Sequence, residues 1–275
     1  MPLISIKHSP LAGGPSDINY RELTTGSKIP LVFLHGGWGY EIYPISRQLT
    51  ALQDFPVLIP DRSGYGRSTK PAFFDTGFHR RAAEETLRYL DSLNIDQCIF
   101  WGHSDGAVIA AWIGLDAPER CQGLILESFH YDCQKTSSRA FFEAMAFAPD
   151  TLGNRVCEVL SREHGEDYWR DLMRCEGQAW LNISNAANPM QKDLYNGSLS
   201  ALTPPALILY GALDPRIEAW EREAVRRELP RALFHVFETA GHSPHSERSS
   251  ADECTRIIHD ALNSSIISSK LNRLT

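Results

Sequence analysis

Short apolar runs alternate along the chain with longer segments whose apolar residues recur every three or four positions. The short runs predict β-strands at Ile4–Lys7, Ile18–Leu23, Leu31–Leu34, Val57–Ile59, Ile99–Trp101, Leu124–Leu126, Ala206–Tyr210 and Leu233–Phe237. The longer segments predict helices at Phe78–Leu93, Ala107–Leu115, Ile217–Glu228 and from about Ser246 to Leu262. Strands that alternate with helices in this way are typical of an α/β fold, in which helices flank a mostly parallel central sheet.

The segment 129–202 has a different pattern. It contains no strand-like run, and its helical stretches are expected to break at Pro149, Gly153, Gly165, Gly177 and Pro189. Strands on both sides of it predict one core domain in two parts, residues 1–128 and 203–275, with residues 129–202 inserted as a helical lid. The aromatic side chains of the lid are expected to divide between the core and a cavity: Phe141, Phe142, Phe147, Tyr168, Trp169, Trp180 and Tyr195. The polar tail after Asn263 is expected to fray.

Composition excludes several classes of partner. The 275 residues carry a net charge of −7, which leaves no basic surface to grip the phosphates of a nucleic acid. No apolar stretch approaches the length of a membrane span, and residues 1–9 lack the basic and apolar regions of a secretory signal. The 6 cysteines form no C-x-x-C pair, which argues against a zinc site or a disulfide framework. We therefore expect a cytoplasmic protein with reduced thiols, no metal, and neither nucleic acid nor membrane as a partner.

The strongest chemical signal is the sequence Gly102-His103-Ser104-Asp105-Gly106, which lies between a predicted strand and a predicted helix. A serine on such a turn is held in strained backbone geometry, and its hydroxyl projects clear of the sheet. Glycine two residues to either side leaves room, because a Cβ there would meet the neighbouring strand or helix. The backbone N–H that follows the serine points at a developing oxyanion, near the positive end of the helix. The context therefore predicts that Ser104 is a nucleophile.

A serine hydroxyl is a poor nucleophile until a base takes its proton. A histidine, His242, follows the last predicted core strand, and a carboxylate, Asp214, follows the strand before it. The chain order serine, aspartate, histidine is the order that this architecture requires. The sequence therefore predicts a triad in which Ser104 attacks, His242 is the general base and Asp214 orients the imidazole.

These motifs resemble those of the α/β-hydrolase superfamily, from about Ile18 to Leu262 and least in the lid. The resemblance rests on His35-Gly36-Gly37, Asp61-Arg62-Ser63-Gly64-Tyr65-Gly66-Arg67-Ser68, Gly102-His103-Ser104-Asp105-Gly106, Gly211 to Asp214, and Gly241-His242. It implies the α/β-hydrolase fold and an oxyanion hole made of the backbone N–H of Asp105 and one from the 35–39 loop. The matching loop position is Gly37, with Trp38 a close second. The turn around Ser104 resembles that of lid-bearing serine esterases, whereas epoxide hydrolases and haloalkane dehalogenases place aspartate where Ser104 stands.

Some neighbouring residues compete for these roles or have simpler explanations. The carboxylate of Asp105 lies in the first turn of a helix, where it stabilises the helix dipole. A second histidine, His245, is the rival base, and Glu127 at the end of an earlier strand is the rival acid.

Two further histidines, His35 and His103, are expected to support the oxyanion loop and the core. Three aromatic residues are candidates for substrate binding, although a place in the core would explain them equally well: Trp38, Phe129 and Trp169.

The sequence thus predicts a serine hydrolase that cleaves a small or medium carboxylic ester of a small molecule through an acyl-enzyme, without a cofactor. The same triad would also suit a C–C bond, a thioester or a lactone. Two alternatives depart from hydrolysis, namely a cofactor-free lyase or oxygenase and a ligand-binding receptor with a vestigial triad. A decayed site usually loses a triad member, and all three are present here, which disfavours the receptor. The sequence carries no signal for the oligomeric state.

Overall fold

A mostly parallel sheet forms the centre of the protein, seen in a computed structural model that describes residues 1–186 and 193–264. Its strands are β1 (Leu3–Ser9), β2 (Gly14–Thr25), β3 (Leu31–Leu34), β4 (Pro56–Pro60), β5 (Cys98–His103), β6 (Cys121–Glu127), β7 (Ala206–Gly211) and β8 (Leu233–Phe237). The strand order is β1-β2-β4-β3-β5-β6-β7-β8. Strands β1 and β2 pair antiparallel at one edge, and β3 to β8 pair in parallel. The predicted α/β fold class is confirmed.

Helices flank this sheet. They are α1 (Phe78–Ser92), α2 (Asp105–Asp116), α3 (Arg139–Phe147), α4 (Asn154–His164), α5 (Trp169–Ala186), α6 (Ala219–Glu228) and α7 (Ala251–Asn263). Within residues 1–186 and 193–264, none of the helices is both long and apolar enough to cross a membrane.

The last helix begins later than the sequence predicts, at Ala251 instead of about Ser246. The preceding residues form turns around the carboxylate of Glu247, which accepts hydrogen bonds from the backbone N–H groups of Gly241 and Ser243. These bonds hold the loop that carries His242 in a non-helical shape.

The predicted helix break at Gly177 is wrong, because this residue lies inside α5. Helices α3 and α5 pack so closely here that a Cβ on Gly177 would lie 2.7 Å from the carbonyl oxygen of Phe142. The glycine therefore permits close helix packing and does not end the helix. The predicted break at Pro189 lies outside the described residues, as does the tail from residue 265 onward.

The sheet has an apolar core on each face, because successive side chains of a strand point to opposite sides. In β3, Leu31 and Phe33 join the core beneath α7, whereas Val32 and Leu34 join the core that contains α1 and α2. This second core continues into the segment between β6 and β7, where Trp180 of α5 belongs to it. Helices α3 and α5 are therefore packed as an extension of the central core.

Candidate active site

The turn between β5 and α2 positions Ser104. Its backbone has φ 56° and ψ −121°, a positive-φ conformation outside the allowed regions of residues with a side chain. A Cβ on Gly102 would collide with the carbonyl of Gly106, and a Cβ on Gly106 would collide with the carbonyl of Leu34. Both glycines are therefore required by close backbone approach, as the sequence motif indicates.

The structure brings the three predicted triad residues together. The Oγ atom of Ser104 lies 3.0 Å from Nε2 of His242. On the other side of the imidazole ring, Nδ1 lies 2.8 Å and 3.0 Å from the two carboxylate oxygens of Asp214. All three residues are buried. The geometry allows His242 to carry its proton on Nδ1, facing Asp214, and to accept the serine proton on Nε2.

Electrostatics keep this arrangement ready for proton transfer. Burial would raise the pKa of Asp214, but the charge and hydrogen bond of His242, together with the backbone N–H and charge of Arg216, outweigh it and lower the pKa to about 2. Burial lowers the pKa of His242 below its ordinary value of 6.5, and the charge of Asp214 offsets part of that effect. At neutral pH Asp214 is therefore ionised and His242 is unprotonated, which is the state that the predicted acid and base roles require.

The loop after β3 lies directly against Ser104. A Cβ on Gly36 would lie 3.1 Å from the Cβ of Ser104, and a Cβ on Gly37 would lie 2.7 Å from Oδ2 of Asp105. The loop turns through Gly39, which has φ +92° and donates to the carbonyl of Gly36 over 3.2 Å. The backbone N–H of Asp105 is the first of α2, and such groups have no partner within their own helix. Both predicted sources of the oxyanion hole thus lie beside Ser104.

A buried arginine supports this loop from behind. The Nη1 atom of Arg62 donates to the carbonyl of His35 over 2.9 Å, and its Nη2 atom pairs with Oε1 of Glu176 over 3.2 Å. The other oxygen of Glu176, Oε2, has no hydrogen-bond partner. Burial raises the pKa of Glu176 to about 7, against the attraction of Arg62. The arginine therefore links the loop after β3 to helix α5.

The carboxylate of Asp105 has a richer environment than a helix dipole alone would require. Its Oδ1 atom lies 3.1 Å from Nε2 of His79 and accepts from Nε1 of Trp180 over 3.1 Å. Its Oδ2 atom lies 3.8 Å from Nη2 of Arg62. Burial would raise the pKa of Asp105, but these neighbours outweigh it and lower the pKa. The first residue of α2 is thus held by α1 and α5 together.

The rival acid and base form a separate buried pair. The Nδ1 atom of His245 lies 2.8 Å and 2.9 Å from the carboxylate oxygens of Glu127, and Nε2 lies 2.9 Å from the carbonyl of Tyr43. The indole of Trp101 also donates to Glu127, over 3.1 Å. Both ring nitrogens of His245 therefore have partners other than Ser104. One of the two histidines that are expected to support the oxyanion loop and the core is His103. Its Nε2 atom lies 3.0 Å from the carbonyl oxygen of His242.

A narrow cavity opens onto Ser104, and helices α3 and α5 form its roof. Its volume is about 30 Å³. It is lined by Gly36, Gly37, Trp38, Tyr43, His103, Ser104, Asp105, His130, Phe141, Phe142, Met145, Glu176, Trp180 and Arg216. The lining combines aromatic walls with a few charged groups, which is the usual character of a ligand pocket.

The three candidate substrate-binding residues differ in position. Only Trp38 lines the cavity. The ring of Phe129 is buried against Tyr195 at 5.3 Å between ring centres, and Trp169 is also buried away from the cavity lining. Of the aromatic residues in the segment predicted to be a lid, Phe147 lies on the surface with 70% of its area exposed.

Sequence analysis missed four charged or polar lining residues: Tyr43, His130, Glu176 and Arg216. A signal was available for His130, because it lies just beyond the carboxyl end of β6, where ligands of parallel sheets bind. Helix α5 gives no local signal for Glu176, since the partner Arg62 is 114 residues away.

Comparisons with known proteins agree with this architecture. A family model described as the alpha/beta hydrolase family matches residues 31–255. The chain is 26% identical over 274 residues to a proline iminopeptidase of Heyndrickxia coagulans, which covers 87% of this chain and 92% of that protein. It is 36% identical over 229 residues to a putative carbamate hydrolase of Pseudomonas savastanoi pv. phaseolicola, with 78% and 87% covered. Among solved structures, a thermophilic esterase from Thermogutta terrifontis superposes with a TM-score of 0.70 at 21% identity, with 95% and 98% covered, which shows a common fold.

Proposed function

This chain belongs to the alpha/beta hydrolase family, and we propose that it is a serine hydrolase of small or medium carboxylic esters that works through an acyl-enzyme. The observation that carries the proposal is the chain of hydrogen bonds from Asp214 through His242 to the Oγ atom of Ser104. These hydrogen bonds end at Ser104, whose backbone is strained and whose side chain faces a cavity, with a candidate oxyanion loop beside it.

In the first half of the reaction, Oγ of Ser104 bonds to the ester carbonyl carbon as its proton moves to Nε2 of His242. The charge that develops on the carbonyl oxygen is stabilised by the backbone N–H of Asp105 and one from Gly37 or Trp38. The imidazolium is stabilised by Asp214 and returns the proton to the departing alkoxide. The products are the alcohol and an acyl ester of Ser104.

In the second half, a water molecule gives a proton to His242 as its oxygen bonds to the acyl carbon. The bond between that carbon and Oγ of Ser104 then breaks, and the histidine proton passes to Oγ. The carboxylic acid leaves and the enzyme returns to its starting state, so no cofactor is needed.

The roof of the cavity supports a small, partly polar substrate. Residues from α3 and α5 cover Ser104, so we propose that residues 129–202 act as a lid over the site. The cavity lining contributed by the roof combines the acidic residue Glu176 with the aromatic residues Phe142 and Trp180. A long acyl chain would need a wide and continuously apolar channel, which a charged roof over a narrow cavity does not provide.

The first test asks whether Ser104 is the nucleophile. A fluorophosphonate should label the wild-type protein at Ser104, and Ser104→Ala should remain folded but lose both labelling and ester hydrolysis. The loss of rate should be several powers of ten, about 10⁴-fold or more, because the serine and its base act as a unit. An alanine variant that keeps more than a tenth of the activity would refute the assignment.

The second test addresses the substrate. We expect kcat/KM to be higher for p-nitrophenyl acetate and butyrate than for the palmitate ester, with no jump in rate above the solubility limit of the substrate. Because the relatives include an iminopeptidase and a putative carbamate hydrolase, the panel should add a prolyl p-nitroanilide and an aryl carbamate. A higher kcat/KM on either of these than on every ester would replace the ester proposal, and a preference for palmitate would refute the lid interpretation.

A further inference from the structure

A second histidine lies against the nucleophile. The Nε2 atom of His130 is 3.3 Å from Oγ of Ser104, on the same oxygen that contacts His242. The rings of His130 and His242 are nearly parallel, with an angle of 30° and 5.8 Å between their centres. The other ring nitrogen of His130, Nδ1, is buried without a partner. The hydroxyl of Ser104 thus has an imidazole nitrogen on each of two sides.

The count of hydrogens decides which histidine donates. The hydroxyl of Ser104 has one hydrogen, and His242 must receive it, because the other nitrogen of His242 carries its proton toward Asp214. The contact between Ser104 and His130 therefore requires the hydrogen to lie on Nε2 of His130. In that tautomer the unpartnered Nδ1 is an acceptor, and an unpaired acceptor is better tolerated in a buried site than an unpaired N–H.

The surroundings of His130 keep it neutral. Burial lowers its pKa well below 6.5, and the positive charges of Lys135 and Arg216 act in the same direction. A neutral imidazole with its hydrogen on Nε2 can donate a hydrogen bond to Ser104 without taking the serine proton. His130 therefore does not compete with His242 for the role of base.

The protein holds this side chain through its backbone. The hydroxyl of Tyr195 donates to the carbonyl of His130 over 2.8 Å, and the hydroxyl of Tyr210 donates to the carbonyl of Phe129 over 3.1 Å. The next backbone N–H, that of Tyr131, donates to the carboxylate of Glu221 over 3.0 Å. The donor is thus fixed by groups outside the cavity, as preorganised catalytic dipoles must be.

We propose that His130 is a further catalytic residue, which donates a hydrogen bond from Nε2 to Oγ of Ser104 and mainly accelerates deacylation. This inference rests on the proposed ester hydrolysis. Only an interaction that is stronger in the transition state than in the ground state raises a rate. In free enzyme the serine hydroxyl already accepts the bond, so attack gains little from it. In the acyl-enzyme Oγ is a bridging ester oxygen and a weak acceptor, and it gains negative charge as its bond to the acyl carbon breaks.

The test separates the two half-reactions with p-nitrophenyl acetate. The value of kcat/KM reports acylation, and the decay of acetyl-enzyme followed by intact mass reports deacylation. We expect His130→Ala to slow deacylation by about 10-fold to 100-fold, the range for a hydrogen bond to a charged group. Acylation should change by less than about threefold, because the hydroxyl of Ser104 already accepts this hydrogen bond before it attacks. Acetyl-enzyme should accumulate in this variant.

Two further variants distinguish the hydrogen bond from packing, and thermal melts check that each is folded. His130→Phe keeps the ring without a donor and should behave like the alanine variant. His130→Gln supplies an amide N–H and should recover part of the deacylation rate. If the alanine variant unfolds, the phenylalanine and glutamine pair decides alone.

Three results would overturn the proposal for His130. They are normal deacylation in His130→Phe, equal slowing of both steps, and a loss of acylation as deep as that of His242→Ala. The wild type serves as the control for the proposed function itself. If it neither releases p-nitrophenol nor reacts with a fluorophosphonate, ester hydrolysis and the role of His130 both fail, whereas an active wild type isolates the result for His130.

Discussion

The buried pair of Glu127 and His245 can be tested against the proposed acid, Asp214. The change is Glu127→Gln, which keeps the size of the side chain and removes its charge. In the wild type this carboxylate accepts from the backbone N–H and Nδ1 of His245 and from the indole of Trp101. An amide has only one oxygen and presents its NH₂ group to at least one of these donors, so the variant leaves a buried donor unsatisfied.

The size of the effect follows from the pKa of the group. Burial would raise the pKa of Glu127, but the charge and hydrogen bonds of His245 outweigh it and lower the pKa from 4.5 to about 2. A shift of that size corresponds to about 3 kcal/mol of stability at pH values where the carboxylate is ionised. For 275 residues, the entropy of unfolding converts this loss into a decrease in Tm of about 5 °C.

The dependence on pH has a defined sign. The lowered pKa of Glu127 stabilises the fold above 4.5, and that contribution is lost as the pH falls toward 2. Burial opposes protonation of His245, but Glu127 outweighs it and raises the pKa, so the contribution of His245 is present below 6.5 and lost as the pH rises through the raised value. The deficit of Glu127→Gln should therefore be largest between pH 4.5 and 6.5 and should shrink on further acidification.

Thermal melts by circular dichroism at pH 5.5 and pH 3 test the predicted loss of stability, and ester hydrolysis at neutral pH tests the catalytic role. We expect Glu127→Gln to lose less than about tenfold in kcat/KM, whereas Asp214→Asn should lose about 10⁴-fold because the imidazole then has the wrong tautomer. If Glu127→Gln is as inactive as Asp214→Asn and melts like the wild type, Glu127 is the catalytic acid and the present assignment is wrong.

Further predictions concern the proposed base His242, the roof of the cavity and the turn at Ser104. The kcat/KM of the wild type should rise with pH through a midpoint below 6.5, because burial lowers the pKa of His242. The variant Asp214→Asn should have a still lower midpoint, because it lacks the charge that favours protonated His242. A wild-type midpoint above 7 would contradict the structure. Burial raises the pKa of Glu176 to about 7, so the wild type should lose about 3 kcal/mol from this group as the pH rises from 4.5 through 7. Urea unfolding of Glu176→Gln and the wild type at pH 5 and pH 8 should show a stability difference that shifts in favour of the variant as the pH rises, and a difference independent of pH would count against this reasoning. Gly106→Ala should lower the free energy of unfolding by about 3 kcal/mol or more, because backbone atoms surround the position. As a control, Gly14→Ala has open space around the new Cβ and should change the free energy of unfolding by less than about 1 kcal/mol in the same assay. Equal effects of the two substitutions would contradict the packing argument.

The sequence predicted the sheet and the positions of the candidate triad because both depend on local patterns. Short apolar runs identify strands whatever their neighbours are, and the residues after those strands must meet at one edge of a parallel sheet. Ser104, Asp214 and His242 could therefore be selected together, although residues 104 and 242 are 138 positions apart.

The lining of the cavity could not be predicted in the same way. The sequence selected Phe129 near the end of β6, but it is the next residue, His130, that faces Ser104. Beyond the end of a strand the regular alternation of side chains stops, so the sequence does not indicate which side chain points toward the site. The roof depends on how α5 packs over the sheet, and nothing in the sequence near Glu176 indicates that it will meet Arg62.

The contact of Arg62 with both the loop after β3 and Glu176 limits how the protein can be recombined with its relatives. Exchanging residues 129–202 for the equivalent segment of another family member is an obvious route to a new substrate range. Unless the donor segment brings a carboxylate to the place of Glu176, such a chimera would remove the nearer of the two carboxylates beside Arg62 and leave Asp105 at 3.8 Å, and a buried charge that loses a partner is destabilised. Since Arg62 also holds the carbonyl of His35, the cost would extend to the loop beside Ser104. A successful exchange must therefore take position 62 and position 176 from the same parent protein.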